Sequence, residues 1–367
     1  MKYLDEYRDS NLVRALLARI ERIVTRHWVL MEICGGQTHT IMRYGLHELL
    51  PKQVEMVHGP GCPVCVTPAG ILDRAVELAL RPEVTLVTYG DLLRVPGSQM
   101  DLFSAKARGA DVRMVYSPLD ALRIARAHPE RHVIFLAVGF ETTAPANAMA
   151  VYQAEREGLQ NFSLLASHVL VPPAIRALLA SSACRVQGFV APGHVCTVAG
   201  CKEYEEMACA YRVPIVVGGF EPVDLVQAIL VLVTMLEEGR AAFANAYTRS
   251  VSYRGNVYAQ NIVSEVFEVA DQTWRGMGEI AQSGLRIREK YAQYDASRLF
   301  DAKLVEPTVP AVCINAEIMQ GLCKPTDCIA FGTTCTPENP IGASMVSAEG
   351  ACSAYHRYRR QNVETMP

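Results

Sequence analysis

The sequence predicts an α/β protein built on parallel sheets, and two features carry that prediction. Apolar runs too short to be helices alternate with helical patterns through the first two thirds of the chain. This is how buried parallel strands joined by crossover helices read in a sequence. Beyond about residue 240 the alternation fades, and the chain closes in a tract rich in Pro, Gly, Cys and Thr. Such a tract cannot form an ordinary core alone. The expected architecture is two Rossmann-like parallel-sheet domains plus a mixed, mostly helical domain organised by its cysteines.

The elements follow in order. The opening segment MKYLDEYRDSNLVRALLARIERIV has early acidic residues and then apolar residues at helical spacing, with no uninterrupted apolar stretch of the kind a signal peptide needs. Strands are expected at VLMEICGG (29–36), QVEMVHG (53–59), VTLVTYG (84–90) and VRMVY (112–116), which makes a first domain of residues 28–130. Four more, HVIFLAVG (132–139), FSLLASH (162–168), VQGFVAPG (186–193) and PIVVGGF (214–220), make a second of residues 131–240. The run VDLVQAILVLVTML (223–236) is too short, and too closely flanked by Glu221, Glu237 and Glu238, to span a bilayer. It reads as a buried helix. Helical spacing with polar faces marks 241–300, and residues 1–27 with 241–367 are expected to form a discontinuous third domain.

Composition limits the function. With 367 residues, 50% hydrophobic and 20% charged, the chain can bury a core for several domains. A net charge of -3 offers no general basic surface for nucleic acid. Neither a Gly-x-x-x-x-Gly-Lys-Ser/Thr loop nor a Gly-x-Gly-x-x-Gly turn after a strand is present, so nucleotide binding has no support. The 12 cysteines, without an export signal, imply a reducing, cytoplasmic setting in which thiols serve metals or redox chemistry.

The thiols fall into two groups. Cys323, Cys328, Cys335 and Cys352 lie among Pro325, Pro337, Pro340, Gly321, Gly332, Gly342 and Gly350. Zinc sites favour paired Cys-x2-4-Cys knuckles, whereas a [4Fe-4S] cluster takes four thiolates at looser spacing in turn-rich loops. The cluster is the favoured reading, and zinc stays open. The remaining cysteines, Cys184, Cys196, Cys201, Cys209 and Cys313, are expected mostly as small core residues.

The second group begins at Cys34, at a strand end and ahead of Gly35, Gly36 and a helix over 39–50 that Thr38 is placed to cap. A helix N-terminus favours thiolate. His39 is a candidate ligand or acid/base group, with a structural hydrogen bond as its ordinary alternative. Cys62-Pro63-Val64-Cys65 lies between a strand and a helix starting near Pro68, as a redox-active dithiol requires; redox use or binding of a thiophilic metal such as iron is favoured over half of a zinc site, since no matching Cys-x2-Cys occurs elsewhere. Glu141, with Thr142 and Thr143, and His194 sit at other strand ends, where α/β ligands usually bind.

Several blocks together, CGGQTHT, GPGCPVCVTP, GFETTAP, APGHV, GGFEP and GTTCTPENPIGASMVSAEGAC, resemble the HypD family of [NiFe]-hydrogenase maturation factors over about Glu32 to Tyr355. Cys196 departs from the family pattern, which commonly has serine there. The resemblance implies a scaffold, rather than a stand-alone turnover enzyme, on which the Fe(CN)2CO group is assembled with a HypC-type chaperone. Cyanide would come from HypE, with HypF upstream. Carried onto this chain, Cys34 would hold the iron, Cys62 and Cys65 would be the redox pair beside it, and Cys323, Cys328, Cys335 and Cys352 would hold the [4Fe-4S] cluster. Gln37, Thr38 and His39 would orient ligands. The alternative is a cluster-dependent thiol-disulfide oxidoreductase acting on a protein disulfide, which would have no need of Cys34.

Overall fold

The computed structural model describes residues 4–300 and 312–358. Residues 301–311 and 359–367, parts of the expected third domain, lie outside the described residues. Eleven strands are assigned among the described residues: β1 (Trp28–Glu32), β2 (Val54–His58), β3 (Val84–Thr88), β4 (Val112–Met114), β5 (His132–Gly139), β6 (Phe162–Val169), β7 (Gly188–Pro192), β8 (Ile215–Gly218), β9 (Phe243–Asn245), β10 (Phe267–Trp274) and β11 (Gly278–Ile287). The eight expected strands all form within a few residues of their expected places. Their central members are buried on both faces, as continuous apolar runs such as VTLVT and HVIFLAVG require.

The strands form two sheets. One has the order β2-β1-β7-β8-β9 and is parallel throughout; the other has the order β10-β11-β6-β5-β3-β4, parallel from β6 to β4. This corrects the expected division at residue 130. β1 and β2 need β7 and β8 as neighbours, so the chain leaves the first sheet after β2, builds most of the second, and returns. Sequence-adjacent strands usually pair, which is why a contiguous division was expected.

The expectation for the third domain is also corrected. The helix Ser10–Ile23 presents Val13, Leu16, Leu17 and Ile20 along one face and packs them in the same core as the buried helix Pro222–Glu237, on the outer side of the first sheet. Residues 267–287 are a hairpin, β10 to β11, added antiparallel to β6 through Gly284 opposite Val169 and Leu285 opposite His168. In β10, FEVADQTW, only Phe267 and Trp274 at its two ends are buried. An edge strand this polar lacks the apolar run by which the other strands were recognised.

Between the sheets lies a shared core that joins Met31, Ile33 and Val57 to Leu86, Ile134 and Leu136, and that includes Cys62, Cys65 and Val66. The cysteine-rich segment adds a small satellite core of Ala330, Cys335 and Met345, with Cys328, Phe331, Ile341 and Cys352 packed on it. No described helix is long and apolar enough to cross a membrane.

Candidate functional site

The strand order decides where a site can form. In the first sheet the chain runs from β1 outward to β2 on one side and from β7 to β8 and β9 on the other, so β1 and β7 flank the point where the order reverses. The crevice beyond the strand ends at such a point is the usual ligand site of an open α/β sheet. Cys34 follows β1 there, the Gly59–Cys62 loop follows β2, His194 follows β7 and Phe220 follows β8.

Cys34, not Thr38, is the N-cap residue of the first helix after β1, Gly35–Arg43, and a second short helix, Leu46–Leu49, replaces the single helix expected to residue 50. Thr38 instead donates its hydroxyl to Glu32 Oε1 at 2.5 Å. Glu32 is fully buried at the end of β1; its Oε2 accepts the Cys34 amide at 2.9 Å, and its Oε1 lies 2.6 Å from His58 Nδ1. With the proton on Nδ1, Nε2 is left to accept the Tyr355 hydroxyl at 3.0 Å. Glu32 therefore fixes the backbone of Cys34 through a network reaching the C-terminal helix Ala351–Tyr358.

Two glycines allow the crowding. A Cβ on Gly35 would run into Glu349, and one on Gly61 would run into the Cys34 backbone. The Gly35 amide donates to the Gly61 carbonyl at 2.9 Å, so the Cys34 and Cys62 loops are in contact. Burial pushes the Cys34 thiol up to about 12, and Glu349 and Glu32 add to the rise, while amides of Gly36 and Gln37 oppose it. The direction is opposite to the one expected from the helix end: the amides are present, but desolvation and two carboxylates outweigh them. A bound cation reverses that balance by taking the proton's place.

Cys62 and Cys65 are joined as a disulfide and are 5% and 2% exposed. They line a small cavity with Thr38, His58, Glu349, Ile318 and Ser344.

The other expected groups divide. His39 lies with Nε2 3.1 Å from the Tyr358 hydroxyl and meets that ring edge-on at 5.2 Å, so its partner is the C-terminal helix. Burial lowers its pKa. Gln37 is fully buried and donates to the carbonyls of Ala191, Gly218 and Gly219, which ties the helix to the ends of β7 and β8. His194 is exposed and stacks on Phe220 at 3.6 Å, and Phe220 in turn lies against Gly36. It stands at the rim beside Cys34. Glu141 is set apart at the end of β5 in the other sheet, accepting the Val171 amide at 3.0 Å and lining a separate cavity of about 820 Å³. Burial pushes its carboxyl up to about 8.

The structure brings three of the four expected cluster ligands together and sets the fourth apart. Cys328, Cys335 and Cys352 line a common cavity, but its fourth cysteine is Cys313. Cys323 lies outside that lining. A Cβ on Gly342 would stand 2.7 Å from Cys313 Sγ, so this glycine leaves the space the sulfur occupies. The Ile341 amide donates to Cys335 Sγ at 3.4 Å. Burial pushes Cys352 up to about 12, with Cys313, Cys335 and Cys328 acting on it in turn. Cys313, expected as a small apolar residue in or beside a helix or strand, shares the cavity with three cysteines that are its neighbours in space.

Among the described residues no three His, Cys, Asp or Glu side chains converge as ligands of a single metal ion. Four thiolates around a cubane bind four different irons and need no common point. Four cysteines on an apolar cavity, with an amide directed at one sulfur, fit that group better than zinc. The cavity shares Ile318 and Ser344 with the one containing Cys62 and Cys65.

Besides Cys313, the sequence reading missed Glu32, His58, Phe220 and Glu349. A lone carboxylate inside the apolar strand WVLME was a usable signal for Glu32, because an unpaired buried charge is rare.

Comparison with known proteins agrees with the motif resemblance. The HypD family model, described as the hydrogenase formation hypA family, matches residues 11–359. The hydrogenase maturation factor HypD of Rhizobium leguminosarum bv. viciae is 50% identical over 370 residues, covering 98% of this chain and 96% of that protein. Its counterpart in Azotobacter vinelandii is 48% identical, covering 98% of each. The Escherichia coli K12 protein of the same name is 43% identical over 377 residues, covering 99% of this chain and all of that protein. On this full-length similarity the chain belongs to the HypD family.

Proposed function

We propose that this chain acts in hydrogenase maturation as a cytoplasmic scaffold on which the Fe(CN)2CO group of a [NiFe] hydrogenase is built, the iron being cargo held at Cys34. The observation that carries the reading is the continuity of three sulfur sites. The Cys34 backbone rests on Gly61 beside Cys62, and the cavity of Cys62 and Cys65 shares two walls with the cavity of Cys313, Cys328, Cys335 and Cys352.

Soft thiolate suits an iron that carries cyanide and carbon monoxide. Cys34 supplies one such ligand, and the N-terminal cysteine of a HypC-type chaperone would supply another across the crevice rim. Cyanide would arrive from HypE as a thiocyanate. Freeing it breaks the S–C bond: two electrons and a proton give the donor thiol and cyanide. Reduced Cys62 and Cys65 can provide both electrons by closing to the disulfide, releasing two protons. A bound [4Fe-4S] cluster would supply one-electron chemistry beside this pair; reopening the disulfide takes two electrons from an external donor and two protons. The chain's part is to hold Cys34 through Glu32, to keep water from the buried pair, and to present His194 at the open rim.

The rival oxidoreductase reading is disfavoured by the burial of Cys62 and Cys65, which denies access to a protein disulfide. The test is anaerobic copurification with a HypC-type partner followed by infrared spectroscopy. Cyanide and carbonyl bands should accompany the complex, vanish in Cys34→Ala and weaken in Cys62→Ala. Bands at full yield in Cys62→Ala would sink the relay.

A further inference from the structure

The tip of the β10–β11 hairpin lies against the wall of Cys313, Asn315, Ile341 and Gly342 that the four-cysteine cavity shares with a neighbouring one, next to the helix that carries Cys65. Its turn, with Gly276 at φ +80 and Gly278 at φ +77, is held down by the Arg275 amide, which donates to the Val66 carbonyl at 2.7 Å, at the end of the helix Pro63–Val66. The Arg275 side chain enters a cavity of about 310 Å³ whose walls include Cys313, Asn315, Ile341 and Gly342. Its Nη2 donates to the Pro96 carbonyl at 3.4 Å, and its Nε is buried without a partner. Among the described residues Arg275 is in no ion pair. The carboxylate that acts on it, Asp73, is occupied by the amide and hydroxyl of Ser98, each at 2.6 Å.

A guanidinium placed this way is costly unless a negative charge faces it. Cys313, the other group acting on it, is one of the four cysteines of the adjoining cavity. A [4Fe-4S] cluster held by four thiolates carries two net negative charges when oxidised and three when reduced. We propose that Arg275 is the counter-cation of the cluster and a positioning residue for its redox chemistry, favouring the reduced form from its place behind Cys313. The inference rests on the cluster reading given above. It extends it by assigning the electron-accepting step a tuning residue from outside the cysteine tract. Reduction adds one electron from an external donor, and the extra negative charge is stabilised by the fixed cation.

The experiment is a redox titration of the full-length chain with dithionite, followed by electron paramagnetic resonance, on wild type, Arg275→Met and Arg275→Lys. Loss of the charge should disfavour reduction about tenfold, equivalent to about 59 mV for a one-electron couple. Arg275→Lys should restore most of the shift. An unchanged potential in Arg275→Met, with cluster content equal to wild type, overturns the proposal while leaving the cluster reading intact. Wild-type protein that takes up no iron or sulfide overturns both. Should Arg275→Met fail to load, thermal unfolding of the cluster-free forms decides: the variant should melt above wild type, since it lacks the uncompensated charge. A lower midpoint overturns the proposal.

Discussion

Single residues decide which cysteines share the cavity proposed for the cluster. Cys323 and Cys313 differ little in type or burial class, yet only Cys313 shares a cavity with Cys328, Cys335 and Cys352. Cys323 has Asp327 and Glu317 acting on it after burial, and its thiol is pushed up to about 11. Replacing Cys313 by Ala is therefore expected to abolish the cluster, and replacing Cys323 by Ala to leave it. Iron and acid-labile sulfide per chain after anaerobic reconstitution measure both. Full cluster content in Cys313→Ala would restore Cys323 to the ligand set. The same comparison marks how far the sequence could be read. Crowding along the chain identified three of the four cavity cysteines, because loop ligands cluster in sequence. It could not identify the fourth, Cys313, which lies ahead of the helix Asn315–Met319 and meets the others only in three dimensions.

At the scale of elements, the C-terminal helix Ala351–Tyr358 is what joins the two sulfur groups. It begins one residue before Cys352 and ends on His39, while Tyr355 reaches His58 behind Cys34. The two tyrosine hydroxyls are not equivalent. His58 is buried, so Tyr355→Phe leaves Nε2 without a partner and is expected to cost about 1–3 kcal/mol. His39 is half-buried and can turn to water, so Tyr358→Phe should cost about 1 kcal/mol or less. Denaturant unfolding of the full chain ranks the two, and equal losses would refute the argument. Helix and strand positions were legible because an apolar period survives in the sequence. The hairpin β10–β11 was not, since a solvent-facing edge strand keeps little of that period. Nor was the Glu32–His58–Tyr355 network, whose members stand 26 and 297 residues apart.

At the scale of the molecule, the chain passes from the first sheet to the second and back, so neither sheet belongs to one stretch of sequence. The consequence is mechanical as well as topological. β1, which carries Cys34, lies between β2 and β7, with Leu30 opposite both Met56 and Gly188. Leu30 and Met31 are fully buried, Leu30 in the outer core with the Pro222–Glu237 helix and Met31 in the core between the sheets. Residues 28–130 alone would keep β1 and β2 without β7, β8 or that helix, and would keep β3 and β4 without β5. Each sheet would be reduced to a two-stranded remnant with its apolar face in water, and such remnants are not stable by themselves. A fragment of residues 28–130 is therefore expected to give poorly dispersed amide resonances and no cooperative thermal transition, whereas the full chain unfolds cooperatively. A folded fragment would mean that the Cys34 and Cys62 loops can be positioned without the returning strands. As the sheets are built, the strand that completes the first sheet also completes the crevice: β7 supplies both the neighbour of β1 and the turn that places His194 at the rim, so folding and site assembly are one event.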